Sequence, residues 1–206
     1  MAIEAVIFDF GGVILTSPFE AFRRYERNEG LPEGFIRQLN ATDPDGNAWA
    51  KLERGEVDID GFARLFEADA AAAGHAVDGR AVLGLLVGEL RPQMVTAVRR
   101  CTERLATAML TNNFAADTHN GGRMAEVLHL FDVIVESSQT GLRKPDPAIY
   151  ELVCQRLAIA PSQAVFLDDL GINLKPARAM GMTTIKVADP DEALDELEAV
   201  VGFPLR

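Results

Sequence analysis

Asp9, Thr111, Asn112, Lys144, Asp168 and Asp169 are the residues of this 206-residue chain whose types and spacing could do chemistry. Asp9 follows the apolar run Ala5-Val6-Ile7-Phe8, Thr111 and Asn112 follow Leu105 to Leu110, and Asp168-Asp169 follow Ala164-Val165-Phe166-Leu167. Lys144 lies in the loop after Phe131 to Val135. One polar residue at a strand end is ordinary, and Asp9 alone reads equally well as a solvated cap. If these runs are parallel strands, however, their carboxyl ends share one rim, and ligands bind at that rim in open α/β sheets. Three carboxylates gathered there repel one another unless a cation sits among them, and Mg²⁺ with its preference for oxygen ligands suits such a set. Lys144 and the Thr111 hydroxyl could hold an anion beside that metal. The constellation describes a phosphoryl site.

The elements that must position these residues follow from periodicity. Strands are expected at Ala5 to Phe8, Leu105 to Leu110, Phe131 to Val135, Ala164 to Leu167 and Thr183 to Val187, short apolar runs rich in β-branched residues. Helices are expected between them. Asp146-Pro147 caps one that runs to Leu157, Gly181 stops one that begins near Asn173, and another runs from Arg91-Pro92 to about Arg104. Strands alternating with helices imply an α/β fold, a doubly wound parallel sheet of about five strands with right-handed crossovers. Between the first and second strands the pattern is helical throughout: Pro18 to Glu29, Phe35 to Leu39, Ala48 to Glu53, Asp58 to Ala73 and Arg80 to Val87. Ser17-Pro18-Phe19-Glu20 has the form of a capping box with Gly30 placed to end its helix. Such an insert would emerge above Asp9 as a lid. The expected division is a catalytic core of residues 1–15 and 91–206 and a helical cap of residues 16–90.

Composition excludes several classes. Thirty-one acidic against 20 basic residues give a formal charge of -11, which argues against nucleic acid or an anionic membrane as a partner. A phosphate ligand stays open, because local cations outweigh the global field inside a pocket. Cys101 and Cys154 are too few and too far apart for a disulfide framework or a structural zinc site, so a cytoplasmic protein is expected. No apolar run is long enough to span a bilayer, and the N-terminus carries Glu4 and Asp9 without a basic leader. His75, His119 and His129 show no metal-ligand spacing and read as surface or packing residues. Asn113 and Asn173 read as loop residues bonding their own backbone. Phe19 and Trp49 read as insert core, with facing the pocket as the alternative. Gly11-Gly12 completes no dinucleotide fingerprint, and no Walker-type motif is present.

The motifs resemble those of the haloacid dehalogenase superfamily. Asp9 at the end of a hydrophobic strand, Thr111-Asn112, Lys144-Pro145 and Asp168-Asp169 look like its four motifs in order along essentially the whole chain, and the insert looks like its α-helical cap on a Rossmann-like core. Glu136-Ser137-Ser138, Lys144 to Tyr150 and Phe166 to Lys175 are similar to the phosphatase-like domain at the N-terminus of soluble epoxide hydrolases and in acyl-CoA dehydrogenase fusions. The resemblance implies a Mg²⁺-dependent phosphatase of a small phosphorylated metabolite. Asp9 would be the nucleophile and a Mg²⁺ ligand, with Asp169 the second direct ligand, Asp168 a direct or water-mediated one, and the Gly11 carbonyl a backbone ligand. Thr111, Asn112 and Gly12 would bind phosphate, and Lys144 would neutralise charge on Asp9 and the transferring group. The departure is Gly11, where most phosphatases of the family carry a second aspartate that protonates the leaving group and then activates water.

Two other readings stand beside this one. A metal-free haloacid dehalogenase also lacks the second aspartate but has no need of the Asp168-Asp169 pair. A catalytically weak phosphate-binding or interaction module would fit the glycine at position 11.

Overall fold

The computed structural model describes residues 2–114 and 118–206, with the backbone alone at 118–121 and 123. The expectation for His119 therefore lies outside the described side chains. In chain order the elements are β1 (Ala5–Phe8), a wide turn (Phe10–Ile14), α1 (Phe19–Asn28), α2 (Phe35–Thr42), α3 (Ala48–Glu53), α4 (Ile59–Ala72) and α5 (Gly79–Gly84). They continue with α6 (Pro92–Thr102), β2 (Ala106–Thr111), α7 (Thr118–Val127), β3 (Val133–Glu136), α8 (Ser137–Thr140) and α9 (Pro147–Leu157). The last are β4 (Ala164–Asp168), α10 (Gly171–Ala179), β5 (Thr183–Lys186) and α11 (Pro190–Val201).

The five strands are all parallel and ordered β3-β2-β1-β4-β5. β1 is central and buried on both faces, which its unbroken apolar run demands. The chain winds from β1 through β2 to β3 and then crosses back to place β4 on the other side of β1. This reversal opens a crevice between β1 and β4 at their carboxyl ends. The register pairs Phe8 with Leu167, and the Asp9 N–H donates to the Leu167 carbonyl at 2.9 Å. Asp9 and Asp168 are thus neighbours in register and project to the same face, the one that Ile7 and Phe166 occupy.

Alternation splits the core in two. Val6, Phe8, Met109, Val165 and Leu167 face a cluster built with α6, α7 and α11. Ile7, Ala108, Leu110 and Phe166 face a second cluster built with α9 and α10. The insert has its own core of Phe22, Ile36, Trp49, Leu52, Phe62 and Phe66, into which Phe114 from the loop after β2 also packs. One side chain of the sheet rim is therefore shared with the insert. No helix among the described residues is long and apolar enough to cross a membrane.

Three local expectations need correction. Pro18 itself is the N-cap of α1, and the Ser17 hydroxyl is buried without a partner among the described residues, so the capping box does not form. β3 begins at Val133, because Phe131 turns inward as a buried core residue at the preceding turn. α10 begins at Gly171, two residues before Asn173, which places Asn173 in its first turn facing Asp168.

Candidate active site

Asp9 stands at the end of β1 where the backbone opens into the wide turn. Gly11 has an extended conformation (φ −70°, ψ 130°), whereas Gly12 is left-handed (φ 76°). A Cβ on Gly12 would lie 2.2 Å from Asp169 Oδ2. Position 12 therefore demands glycine twice over, for its backbone and for the carboxylate pressed against it. A Cβ on Gly11 would meet nothing within 4 Å.

Asp9 and Asp168 are buried, and Lys144, 1% exposed, lies between them. Its Nζ is 2.8 Å from Asp9 Oδ1 and 2.7 Å from Asp168 Oδ2. The same Asp9 oxygen accepts the Phe10 N–H at 2.7 Å. Among the described residues, no hydrogen bond engages Asp9 Oδ2. Asp168 is used differently: the Asn173 amide donates to both its oxygens at 3.0 Å and the Leu170 N–H to Oδ1 at 2.8 Å. Tyr150 fixes Asn173 in turn by donating to its carbonyl at 2.7 Å. Asp168 is a buried anchor for the lysine, and Asp169 is the half-buried carboxylate beside Gly12.

The electrostatics leave this cluster short of positive charge. Burial alone would lower the Lys144 pKa, but Asp168 and Asp9 more than reverse that and hold it as an ammonium. Burial raises the Asp9 pKa, Lys144 opposes the rise, and Asp168 and Asp169 add to it. Asp169 is pushed up to about 6, by burial first and by Asp168 next, against the pull of Lys144. Oxygens of the three carboxylates lie within 4.8 Å of one another. One ammonium among three carboxylates leaves an excess of negative charge, and the donors are all hard oxygens, so the residues fit a small divalent cation such as Mg²⁺.

Thr111 ends β2, is buried, and makes no side-chain hydrogen bond among the described residues. Asn112 is fully engaged. Its Oδ1 accepts the Lys144 N–H at 2.8 Å, and its Nδ2 donates to the Lys144 carbonyl and to Glu53 Oε2, both at 3.0 Å. Asn113 reaches beyond its own loop: its amide donates to Glu136 and accepts from Ser138 across to the end of β3. His129 is exposed, and His75 packs edge-on against Phe35.

A cavity of about 440 Å³ lies over this rim, with Asp9, Gly11, Thr111, Lys144 and Asp169 in its floor. Phe19, Phe22, Trp49, Leu86, Phe114 and Ile172 give it apolar walls. Phe19 and Trp49 therefore face the cavity, and Trp49 also packs on Phe62 in the insert core. Sequence reasoning missed Glu53 and Arg143, which line the cavity and pair at 2.8 Å, because nothing local links residues 90 positions apart.

Comparison with known proteins agrees with this geometry. The family model of haloacid dehalogenase-like hydrolases matches residues 3–181. Acyl-CoA dehydrogenase family member 10 of Mus musculus is 39% identical over 98% of this chain, and bifunctional epoxide hydrolase 2 of Sus scrofa is 33% identical over 100% of it. The chain spans 19% and 40% of those relatives' own lengths. A sesquiterpene phosphatase of Aspergillus oryzae is 29% identical, with 97% of each chain covered. A haloacid dehalogenase family enzyme of Bacteroides thetaiotaomicron, solved with magnesium and inorganic phosphate, shares the fold at a TM-score of 0.62 and 18% identity, covering 90% of this chain and 94% of its own. With its parallel sheet, its four strand-end motifs and its helical insert, the chain belongs to the haloacid dehalogenase-like hydrolases.

Proposed function

We propose that the protein is a Mg²⁺-dependent phosphomonoesterase whose substrates carry an apolar organic group, and that residues 16–90 act as its cap over a core of residues 1–15 and 91–206. The observation that carries this reading is the arrangement at the cavity floor, where Lys144 occupies one oxygen of Asp9 while the other has no hydrogen-bond partner among the described residues. Oδ2 is then the nucleophile. It attacks phosphorus, the phosphorus–oxygen bond to the organic group breaks, and the leaving oxygen departs with the bonding pair, giving an aspartyl phosphate that water hydrolyses in a second displacement. Lys144 offsets charge on Asp9 and on the transferring group throughout, with Asp168 holding it in place. The Thr111 hydroxyl and the backbone at Gly12 bind phosphate oxygens, and Asn112 acts by fixing the main chain of Lys144. Mg²⁺ held by Asp9, Asp169 and the Gly11 carbonyl, with Asp168 alongside, would offset the charge of the transferring phosphoryl group.

The apolar walls support the substrate class, as does similarity to a protein named as a sesquiterpene phosphatase. Free, buried Cys101 and Cys154 support a cytoplasmic setting. The test is turnover of a panel of alkyl, isoprenyl, sugar and aryl phosphates with and without Mg²⁺, with mass analysis for phosphoryl on Asp9. Turnover that ignores the metal, or a preference for sugar phosphates, would refute the reading. One observation favours a second: glycine at position 11 offers no carboxyl there to act as acid or base, which suits a weak phosphate-binding module. That module would bind inorganic phosphate with Mg²⁺ and release none from any ester. The three-carboxylate cluster weighs against a metal-free dehalogenase.

A further inference from the structure

Glu53 ends α3 in the helical insert, yet its carboxylate is bonded to the opposite side of the cavity. Oε2 accepts from Arg143 Nε at 2.8 Å and from Asn112 Nδ2 at 3.0 Å. Arg143 reaches back in the other direction, donating from Nη1 to the Pro44 carbonyl of the insert at 2.9 Å. The side chains of Arg143 and Glu53 are 15% and 17% exposed, so the pair is shielded and its geometry counts for more than that of a surface ion pair. Asn112 meanwhile grips both the N–H and the carbonyl of Lys144. The insert therefore touches the two residues that hold the main chain of the buried lysine, one its sequence neighbour and one its hydrogen-bond partner.

We propose that Glu53 is a positioning residue that couples seating of the insert to the placement of Lys144. With the insert seated, Glu53 fixes the Asn112 amide and the Arg143 side chain together, and the 143–144 backbone has one arrangement, from which Nζ spans Asp9 and Asp168. When the insert lifts, Arg143 loses both its partners across the seam and Asn112 loses one, so the segment carrying Lys144 loosens. Closure over a substrate thus completes the charge arrangement at the phosphoryl site as well as excluding water. The link itself is mechanical. Only its effect on turnover rests on the proposed phosphatase reading.

Hydrogen exchange and steady-state kinetics on the full chain separate this from a plain latch. In Glu53→Ala, backbone exchange over residues 141–146 is expected to rise about tenfold or more, while β1, β4 and α4 keep their protection. With an aryl phosphate and Mg²⁺, kcat is expected to fall by about 10- to 100-fold, as a misplacement of about 1 Å at a catalytic group does, with KM changed by less than about threefold. Glu53→Gln keeps an acceptor for Asn112 but loses the charge facing Arg143, so it should lie between Ala and wild type in both readouts. That isosteric variant decides the matter should Glu53→Ala fail to fold. Unchanged exchange over 141–146, or a kinetic loss confined to KM, would overturn the coupling. A wild-type protein with no turnover would refute the phosphatase reading instead, and the exchange data alone would then decide the role of Glu53.

Discussion

At the level of single residues, the site is defined by one cation shared between two buried anions. Lys144→Met would leave Asp9 and Asp168 without their partner, and breaking a buried pair in this way costs about 3–5 kcal/mol. A large fall in Tm is expected with loss of turnover. Adding Asp168→Asn should recover much of the stability and none of the activity; thermal melts of the single and double variants check this, and additive effects would mean that the two residues do not interact. Asp169 gives the pH dependence. Its pKa stands at about 6 in the metal-free fold against 3.8 unfolded, so between those values the native state binds the extra proton and stability falls as pH rises. That loss, on the order of 1 to 3 kcal/mol, is complete above about pH 6 and absent below about pH 4. Mg²⁺ should reverse it, because the metal competes with the proton for the same carboxylate. Asp169→Asn is therefore expected to melt higher than wild type at pH 7 without metal, to lose most of its Mg²⁺ response, and to show a shallower slope, with Asp9, whose pKa burial also raises, supplying what remains. A metal-dependent Tm in that variant equal to that of wild type would remove Asp169 from the ligand set.

Single elements make the same site tolerant at one position and intolerant at the next. Across the wide turn, Gly12→Ala forces a Cβ into the Asp169 carboxylate at a left-handed backbone position, so it should cost about 1–3 kcal/mol and displace a proposed metal ligand. Gly11→Asp meets open space in an ordinary conformation. It should fold as wild type does and supply the missing acid and base, raising turnover of alkyl phosphates by about 10²- to 10⁴-fold while aryl phosphates, with good leaving groups, gain little. Wild type should accordingly show a pre-steady-state burst with an aryl phosphate. Equal alkyl and aryl rates without a burst would place proton transfer on another group. The sequence made the strands legible because each is a short apolar run closed by a polar residue, and parallel pairing then collected Asp9, Asp168 and Lys144 without further information. What stayed hidden depends on partners distant in the chain. Ser17 has the right spacing for a cap but its hydroxyl is buried without a partner among the described residues, and Asn113 and Asn173 look like loop asparagines until the fold brings Glu136 and Asp168 to them.

For the whole molecule, the proposed specificity rests on a sheet rim and a helical insert of opposite character meeting at one cavity. The sheet rim contributes charge; the insert contributes aromatic and aliphatic surface, and Phe114 ties the two together by leaving the rim to enter the insert core. A phosphate held at the floor must extend its organic group between those apolar walls. Each methylene withdrawn from water there is worth about 0.8 kcal/mol, so kcat/KM along a series of unbranched alkyl phosphates should rise about fourfold per added carbon. The rise should stop once the tail reaches the mouth, where Ile172 is 55% exposed, because further carbons stay in water. Trp49→Ala removes a large part of the wall and opens a cavity in the insert core, so it should flatten the series and also cost about 3–5 kcal/mol. Phe19→Ala, at a less buried position, is the cleaner probe: it should lower the slope with a smaller loss of stability. The slope reports on the walls and the intercept on the floor, so the Phe19 variant should leave the rate of the shortest ester near that of wild type. A series that is flat in the wild type would mean that the organic group leaves the cavity toward solvent, and that the apolar walls serve the packing of the insert rather than the choice of substrate.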